Sequence, residues 1–229
     1  METSQLQHTN RQYEEELRKL RNNLLKMGGT VERQIADAVQ ATVNRDSAMA
    51  QRVIAADAEV NRMDIEVEEL CIKLLALRQP AARDLRFITT GLKINVDLER
   101  IGDLAVNIAE RALELNQEPM VKPFLDIPRM ATLAQSMVKD SLDAFTREDC
   151  ALAEDVIRRD DQVDQLNYQI FRELLSYMAE DARTIGRGTR ILFVSRYLER
   201  IADHATAIAE MVVFMVKGKT IRHMDKAQR

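Results

Sequence analysis

Apolar residues recur at intervals of three or four along most of this chain, which is the spacing that places side chains on one face of an α-helix. Turn residues and breaks in the pattern divide the chain into six predicted helices, at about 13–43, 47–78, 80–115, 129–145, 149–180 and 187–217. Asp46 or Ser47 is the predicted N-cap of the second helix, and Gly218 is the predicted C′ residue of the last.

The composition favours the same fold class. The 229 residues include only seven glycines and four prolines, too few for the frequent turns of a sheet-rich fold. Apolar residues make up 46% of the chain, so a core can form, but aromatic residues are only 4% and Trp is absent. A core of aliphatic side chains and methionine suits helix-on-helix packing. We therefore predict an all-α protein.

The two halves of the sequence repeat. The segment LERIGDLAVNIAE begins at Leu98, and LERIADHATAIAE begins at Leu198, one hundred residues further on. Upstream matches occur at a spacing of 103, a difference that predicts a shorter loop before the sixth helix. A duplicated three-helix unit is the simplest explanation. The predicted architecture is two tandem, internally repeated antiparallel three-helix bundles, with the first at 1–116, a Pro-containing linker at 117–128, and the second with its tail at 129–229.

Acidic residues lie on the side of the third and sixth helices that is opposite the apolar face. On a helical wheel, this side carries Glu99, Asp103, Glu110, Glu199, Asp203 and Glu210. An antiparallel hairpin also brings the preceding helix level with these acids. The level positions are Asp57 and Asn61 in the first half and Asp160 and Asp164 in the second. Each predicted bundle can thus direct oxygen ligands from two helices to one patch.

The acidic patches have two interpretations. Like charges four residues apart on a helix repel one another, and a cation would turn that repulsion into binding. Clustered carboxylates suit hard cations such as Mg, Mn, Ca or ferric iron. Alternatively, the acids simply solvate an exposed face. Asn61 stands where the second half has an acid, so the first site is the weaker candidate.

Charge and motif content exclude several classes of protein. The chain has 33 basic and 37 acidic residues, a balance unlike that of a dedicated nucleic-acid binder. It has no apolar run long enough to span a membrane and no apolar segment for export at its start, so we expect a cytosolic protein. Cys71 and Cys150 are predicted to be buried thiols. The three histidines, His8, His204 and His223, cannot supply the ExxH pairs of a di-iron oxidase.

Arginines form a second set of candidates. Arg100 and Arg200 follow the glutamates of the two repeats and could bind a phosphate or a partner's carboxylate, or could pair with a neighbouring acid. Basic residues also collect near the ends of the hairpins, where they either solvate a helix end or form a docking surface for an acidic partner. These residues are Arg78, Arg83, Arg86 and Lys93 in the first half and Arg183, Arg187, Arg190 and Arg196 in the second.

The sequence resembles the PhoU family along nearly its whole length. The duplicated ERI-(G/A)-D element in two successive bundles is specific to few all-α proteins. The matching stretches are LLKMGGTVERQIADAV from Leu24, RVIAADAEVN from Arg52, RQPAARDLR from Arg78, LERIGD from Leu98 and YLERIADHATAIAE from Tyr197.

The resemblance implies a non-enzymatic regulator of phosphate uptake. PhoU-like proteins act between the ATPase subunit of the phosphate ABC transporter and a phosphate-sensing histidine kinase, and they keep the phosphate-starvation response off when phosphate is abundant. The resemblance also implies a homodimer that meets the membrane only through its partners, and metal ions (Mg, Mn, Fe or Zn) at acidic motifs. Those motifs map onto Glu99/Asp103, Glu199/Asp203 and Asp160/Asp164, and partly onto Asp57/Asn61.

Two other functions remain open at this stage. A carboxylate metalloenzyme, such as a phosphohydrolase, would need an open coordination position and a general base, and the sequence offers no suitable histidine. A purely structural helical dimer would need no ligand at all.

Overall fold

The computed structural model describes residues 2–219, with their side chains from residue 11 onward. The described residues form the helices α1 (Glu2–Asn44), α2 (Ser47–Arg78), α3 (Ala82–Leu115), α4 (Asp126–Arg147), α5 (Cys150–Glu180) and α6 (Ile185–Lys217), with a short 3₁₀ turn at Ala182–Thr184. The prediction of an all-α fold is confirmed. Helix α1 begins well before the predicted residue 13 and continues through Gly28 and Gly29 without a break.

Short polar side chains start the second helix of each half. The Asp46 carboxylate accepts a hydrogen bond from the backbone N–H of Met49 at 2.9 Å, and Asp149 accepts one from Leu152 at 3.0 Å. Each bond satisfies an amide that the first turn of a helix leaves unpaired. At the other end of the chain, Gly218 has φ = 68°, which confirms it as the residue that ends α6.

The six helices share one hydrophobic core. Helices α1, α2 and α3 pack against one another, as do α4, α5 and α6, and the two sets meet along α3 with α6 and α1 with α4. The α1–α4 contact depends on Gly28, because a Cβ atom there would lie 2.1 Å from Cδ1 of the buried Leu142. The two repeated units therefore pack side by side, with a continuous apolar interior.

The segment between the halves is held by polar contacts. The guanidinium of Arg45 donates to the backbone carbonyls of Asn116 at 2.9 Å and Glu118 at 2.6 Å. Lys122 is buried and pairs with Glu173 of α5. Since α4 begins at Asp126, the last residues of the predicted linker are helical. The linker is thus fixed to both halves.

The structure corrects the explanation of the repeat spacing. Helix α3 has sixteen residues before Leu98, whereas α6 has only thirteen before Leu198. The loop before α6 is not shorter than its counterpart, because residues 181–184 separate α5 from α6 and residues 79–81 separate α2 from α3. The three-residue difference arises within α6, which has three fewer residues before its repeated segment than α3 has.

The two cysteines differ in their surroundings. Both are free thiols, and Cys71 is fully buried, as predicted. Burial raises the pKa of the Cys71 thiol to about 12. Cys150 is only half-buried, which corrects its prediction, because it is the first residue of α5 and lies at the end of the bundle. Within residues 2–219, every helix is too short or too polar to serve as a membrane span.

Candidate functional site

The first acidic cluster lies where α2 and α3 run side by side. On α3, the side chain of Glu99 is 24% exposed and that of Asp103 is 39% exposed. On α2, the amide of Asn61 donates to Oδ2 of Asp57 at 2.8 Å. The other oxygen of Asp57, Oδ1, is buried and accepts no hydrogen bond from residues 11–219. The predicted residues of the first half therefore share one face.

The pKa of Glu99 reflects the acidic side chains that lie near it on both helices. Burial raises the pKa of the Glu99 carboxyl, and the neighbouring charge of Asp103 raises it further. Arg100 opposes this, while Asp64 and Asp57 on the facing helix add to the increase. Carboxylates from both helices thus act on one group.

Asp64 is a member of this cluster that the sequence reasoning missed. Its Oδ1 accepts a hydrogen bond from the side-chain amide of Asn95 at 2.6 Å, which ties α2 to α3. Burial raises the pKa of Asp64, and Glu68 raises it further. The sequence spacing does indicate this position, because Asp64 follows Asp57 by seven residues and so lies on the same face of α2.

The second cluster lies in the equivalent position between α5 and α6. The Glu199 side chain is only 14% exposed, whereas Asp203 and Asp164 are exposed and Asp160 is half-buried. Part of the Asp203 side chain is exposed to solvent, but protein atoms surround its carboxyl group. Burial is therefore the main cause of its raised pKa, and the negative charge of Asp164 raises it further. The pKa of Glu199 is also raised, first by burial and then by Asp203 and Asp164.

Arginine side chains partly neutralise both clusters. Arg100 lies 3.4 Å from Glu99 and 3.2 Å from Asp103, measured between nitrogen and oxygen atoms. The interpretation of Arg100 as the partner of neighbouring acids is therefore confirmed. In the second half this position is taken by Arg196, which pairs with Glu199. Arg196 also opposes the increase in the pKa of Asp203, followed by His204 and the exposed Arg200.

The residue types in the two clusters suit a hard cation, but the side chains are not arranged around a common point. Among the side chains of residues 11–219, no group of three or more His, Cys, Asp or Glu is gathered closely enough to hold a metal ion. Each half nevertheless presents carboxylates from two helices, and Asp57 has a buried oxygen without a partner. Binding would require Arg100 and Arg196 to leave their acids and the carboxylates to turn inward. The eight predicted ligands remain a prediction.

The comparison with known protein families shows to which family the chain belongs. The sequence profile of the PhoU domain matches the chain twice, at residues 24–112 and at residues 127–212. This chain belongs to the PhoU family. The first match lies within α1–α3 and the second within α4–α6, so each half is one PhoU domain. The resemblance read from the sequence is confirmed.

Individual PhoU proteins match over nearly their full length. A Pseudomonas putida protein named phosphate-specific transport system accessory protein PhoU homolog is 43% identical over 218 residues, covering 95% of this chain and 85% of its own length. The crystal structure of PhoU from Pseudomonas aeruginosa has a TM-score of 0.87 at 43% identity, covering 90% of this chain and 100% of that one. The phosphate transport system regulatory protein PhoU from Streptococcus pneumoniae has a TM-score of 0.85 at 31% identity, with coverages of 91% and 99%.

The two PhoU domains of this chain are not equivalent at every position. Glu110 and Glu210 were both predicted to face solvent, and the side chain of Glu110 is 47% exposed. Glu210 is only 9% exposed, which contradicts the prediction. The end of α6 is more enclosed than that of α3, since Val213 is buried whereas its counterpart Leu113 is only partly buried.

A polar contact joins the two PhoU domains. His204 Nδ1 on α6 lies 2.8 Å from Asp97 Oδ1 on α3, and both side chains are largely covered. The structure therefore places His204 at the interface between the two domains. The side chains of His8 and His223 lie outside the described residues.

Most of the predicted basic residues make contacts within the chain. Arg190 pairs with Glu114 and Glu118, both at 2.8 Å, so it ties α6 to the end of α3 and the linker. Arg187 donates to the carbonyl of Pro119 at 2.8 Å. The exposed members of the two groups are Lys93, Arg83, Arg183 and Arg196. Any docking role therefore falls on these residues more than on the others.

Proposed function

We propose that this protein is a non-enzymatic regulator of phosphate uptake and phosphate-starvation signalling. In this proposal it is a cytosolic adaptor between the ATPase subunit of the phosphate ABC transporter and a phosphate-sensing histidine kinase, and it represses the phosphate regulon when phosphate is abundant. The observation that carries the proposal is the pair of PhoU domains, which span most of the chain and match relatives named as accessory or regulatory proteins of phosphate transport.

An adaptor needs more than one binding face, and the duplicated fold supplies two. Each domain exposes large apolar side chains on its outer hairpin. Ile65, Ile72 and Val96 are each more than half exposed on α2 and α3, while Tyr168 and Phe193 are exposed on α5 and α6. Exposed apolar side chains grouped on one face are typical of interaction surfaces. The two faces lie on different domains, which suits one protein that contacts two partners.

Co-purification with the transporter ATPase and with the kinase tests the adaptor role. Ile72→Glu would alter the apolar face of the first domain and Phe193→Glu that of the second, so we expect each variant to lose one partner and keep the other. Lys93→Glu and Arg183→Glu test the basic residues, since both side chains are exposed and lie outside the core. The adaptor role is refuted if the native chain retains neither partner.

We further propose that the carboxylate clusters bind metal ions, with Mg, Mn, Fe or Zn as candidates. The raised pKa values of Glu99, Glu199 and Asp203 support this, because each reflects a carboxyl surrounded by protein and by like charges. A bound cation would offset the cost of burying a carboxylate and the repulsion between neighbouring carboxylates. Elemental analysis of protein purified without chelators or affinity-tag metals tests the proposal. Retention of no metal above the buffer level would exclude it.

The proposal also includes a homodimer. Light scattering of the purified chain would give the mass of the particle, and a mass equal to that of one chain at micromolar concentration would exclude this part. The non-enzymatic role is tested by incubating metal-loaded protein with phosphoesters, where metal-dependent turnover would contradict it.

A further inference from the structure

A cleft of about 360 Å³ opens where the two PhoU domains meet at one end of the molecule. Four arginines line it: Arg18 and Arg21 from α1, and Arg83 and Arg86 from α3. The second domain contributes Glu148, from the turn between α4 and α5, and the end of α6. This cleft is separate from the acidic clusters, although Arg83 and Arg86 also belong to the predicted basic group of the first half.

The charges that line the cleft are unbalanced. Two acids face the four arginines, and both already accept hydrogen bonds from within the protein. Asp84 accepts from the Tyr13 hydroxyl at 3.1 Å, and Glu148 accepts from Nη2 of Arg83 at 2.8 and 2.6 Å. Because the Tyr13 hydroxyl is neutral, Asp84 keeps its negative charge, and the four arginines exceed the two acids by two positive charges. The chain as a whole has a formal net charge of −4.

Arg21 is held in place by an aromatic ring, with no polar partner in the part of the chain that the structure describes. Its guanidinium carbon lies 5.2 Å from the centre of the Phe87 ring, and Phe87 itself stacks on Phe145 with ring centroids 5.3 Å apart. The Nε atom of Arg21 is buried and has no hydrogen-bond partner among the described residues. A buried donor without a partner destabilises the protein, and a ligand oxygen would remove this cost.

The other two arginines leave donors available in the same cleft. Arg86 uses Nε to donate to the carbonyl of Met215 at 3.0 Å, and its terminal amines form no further hydrogen bond to the described residues. Arg18 is exposed and makes no hydrogen bond or ion pair with any described residue. Three guanidinium groups with unused N–H donors therefore surround one space.

We propose that this cleft binds a phosphoryl oxyanion, either inorganic phosphate or the phosphate group of a small monoester. The planar fork of a guanidinium matches two oxygens of a phosphoryl group, and several forks around one tetrahedral anion satisfy its oxygens together. Arg21 is positioned in advance by its ring contact, so little side-chain entropy is lost on binding. The inference rests on the cleft alone and does not depend on the adaptor role.

Isothermal titration calorimetry on the full chain at constant ionic strength tests the proposal. The three titrants are inorganic phosphate, glycerol phosphate and succinate, which separate a free anion, a monoester and a carboxylate. We expect phosphate or glycerol phosphate to bind at one site per chain, at least tenfold more tightly than succinate. Equal binding of succinate, or no binding of either phosphate compound, would overturn the proposal.

Paired variants assign the binding to the cleft. Arg18→Gln removes an exposed side chain that pairs with no described residue, so the fold is retained and the affinity should fall at least fivefold. Arg21→Gln should lower it further. The matched control is Arg33→Gln, an exposed arginine on the same helix but outside the cleft, which should bind like the native chain. If Arg18→Gln and Arg33→Gln bind the phosphate compound equally, the site lies elsewhere and the proposal is wrong.

Discussion

His204 of α6 and Asp97 of α3 approach to 2.8 Å across the interface between the two PhoU domains. A half-buried hydrogen bond to a carboxylate contributes about 1–2 kcal/mol to stability. We expect His204→Ala to lower the free energy of unfolding by that amount, measured by urea denaturation. Asp97→Ala should have a similar effect, and the double variant should cost little more than either single one. Fully additive losses would show that the two side chains do not interact.

Adjacent glycines of α1 allow a matched test of the contact between the domains. A Cβ at Gly28 would lie 2.1 Å from Leu142 Cδ1, whereas nothing lies within 4 Å of a Cβ at Gly29. Alanine is favoured over glycine inside a helix by about 1 kcal/mol, so Gly29→Ala should stabilise the protein. Gly28→Ala gains the same propensity but forces Leu142 to move, at about 1–3 kcal/mol. Thermal melting should therefore rank Gly29→Ala above Gly28→Ala, and the reverse order would contradict the packing of α1 on α4.

Removing two carboxylates should abolish metal binding in the second domain. We expect Glu199→Ala with Asp203→Ala to reduce the metal content measured by elemental analysis and to leave the helical circular dichroism unchanged, because neither side chain is part of the apolar core. Glu69→Ala, an exposed acid of α2 outside the clusters, is the control and should keep its metal. Unchanged metal in the double variant would remove Glu199 and Asp203 from the ligand set.

The second cluster also predicts a pH dependence in the absence of divalent cations. The pKa of Asp203 is raised in the folded protein, so the folded state holds its proton more tightly than the unfolded state does. The stability that this proton provides is complete at pH values below the unfolded pKa and is lost as the pH rises through the higher folded pKa. Asp203→Asn should therefore raise the melting temperature at pH 7.5 in EDTA. The gain should vanish at about pH 3, below the ordinary pKa of an aspartate, and an equal gain at both pH values would contradict the assignment.

Features that depend on local sequence could be predicted well. The spacing of apolar residues predicted the six helices. The caps at Asp46 and Gly218 follow from residue type, because their hydrogen bonds close within one turn. The acidic faces were also predictable, since helical spacing determines which side chains share a side. Asp64 could have been found from its spacing to Asp57.

Features that depend on how the domains pack could not be predicted. The pairing of His204 with Asp97 joins residues 107 positions apart, and no periodicity indicates that α3 and α6 meet there. The burial of Glu210 has the same origin, because the repeat predicts equal exposure while the packing around α6 is tighter. The arginine cleft combines side chains of α1 and α3 with the end of α6, so it exists only once the domains are docked.

Expression of this chain in a bacterium that lacks its own PhoU tests the central claim most directly. A reporter driven by a promoter of the phosphate-starvation response would be measured with abundant phosphate in the medium. The account predicts that the chain returns the reporter to the repressed level, and that Ile72→Glu and Phe193→Glu weaken this repression. A reporter that stays fully active, in cells that contain the folded chain, would contradict the proposed role.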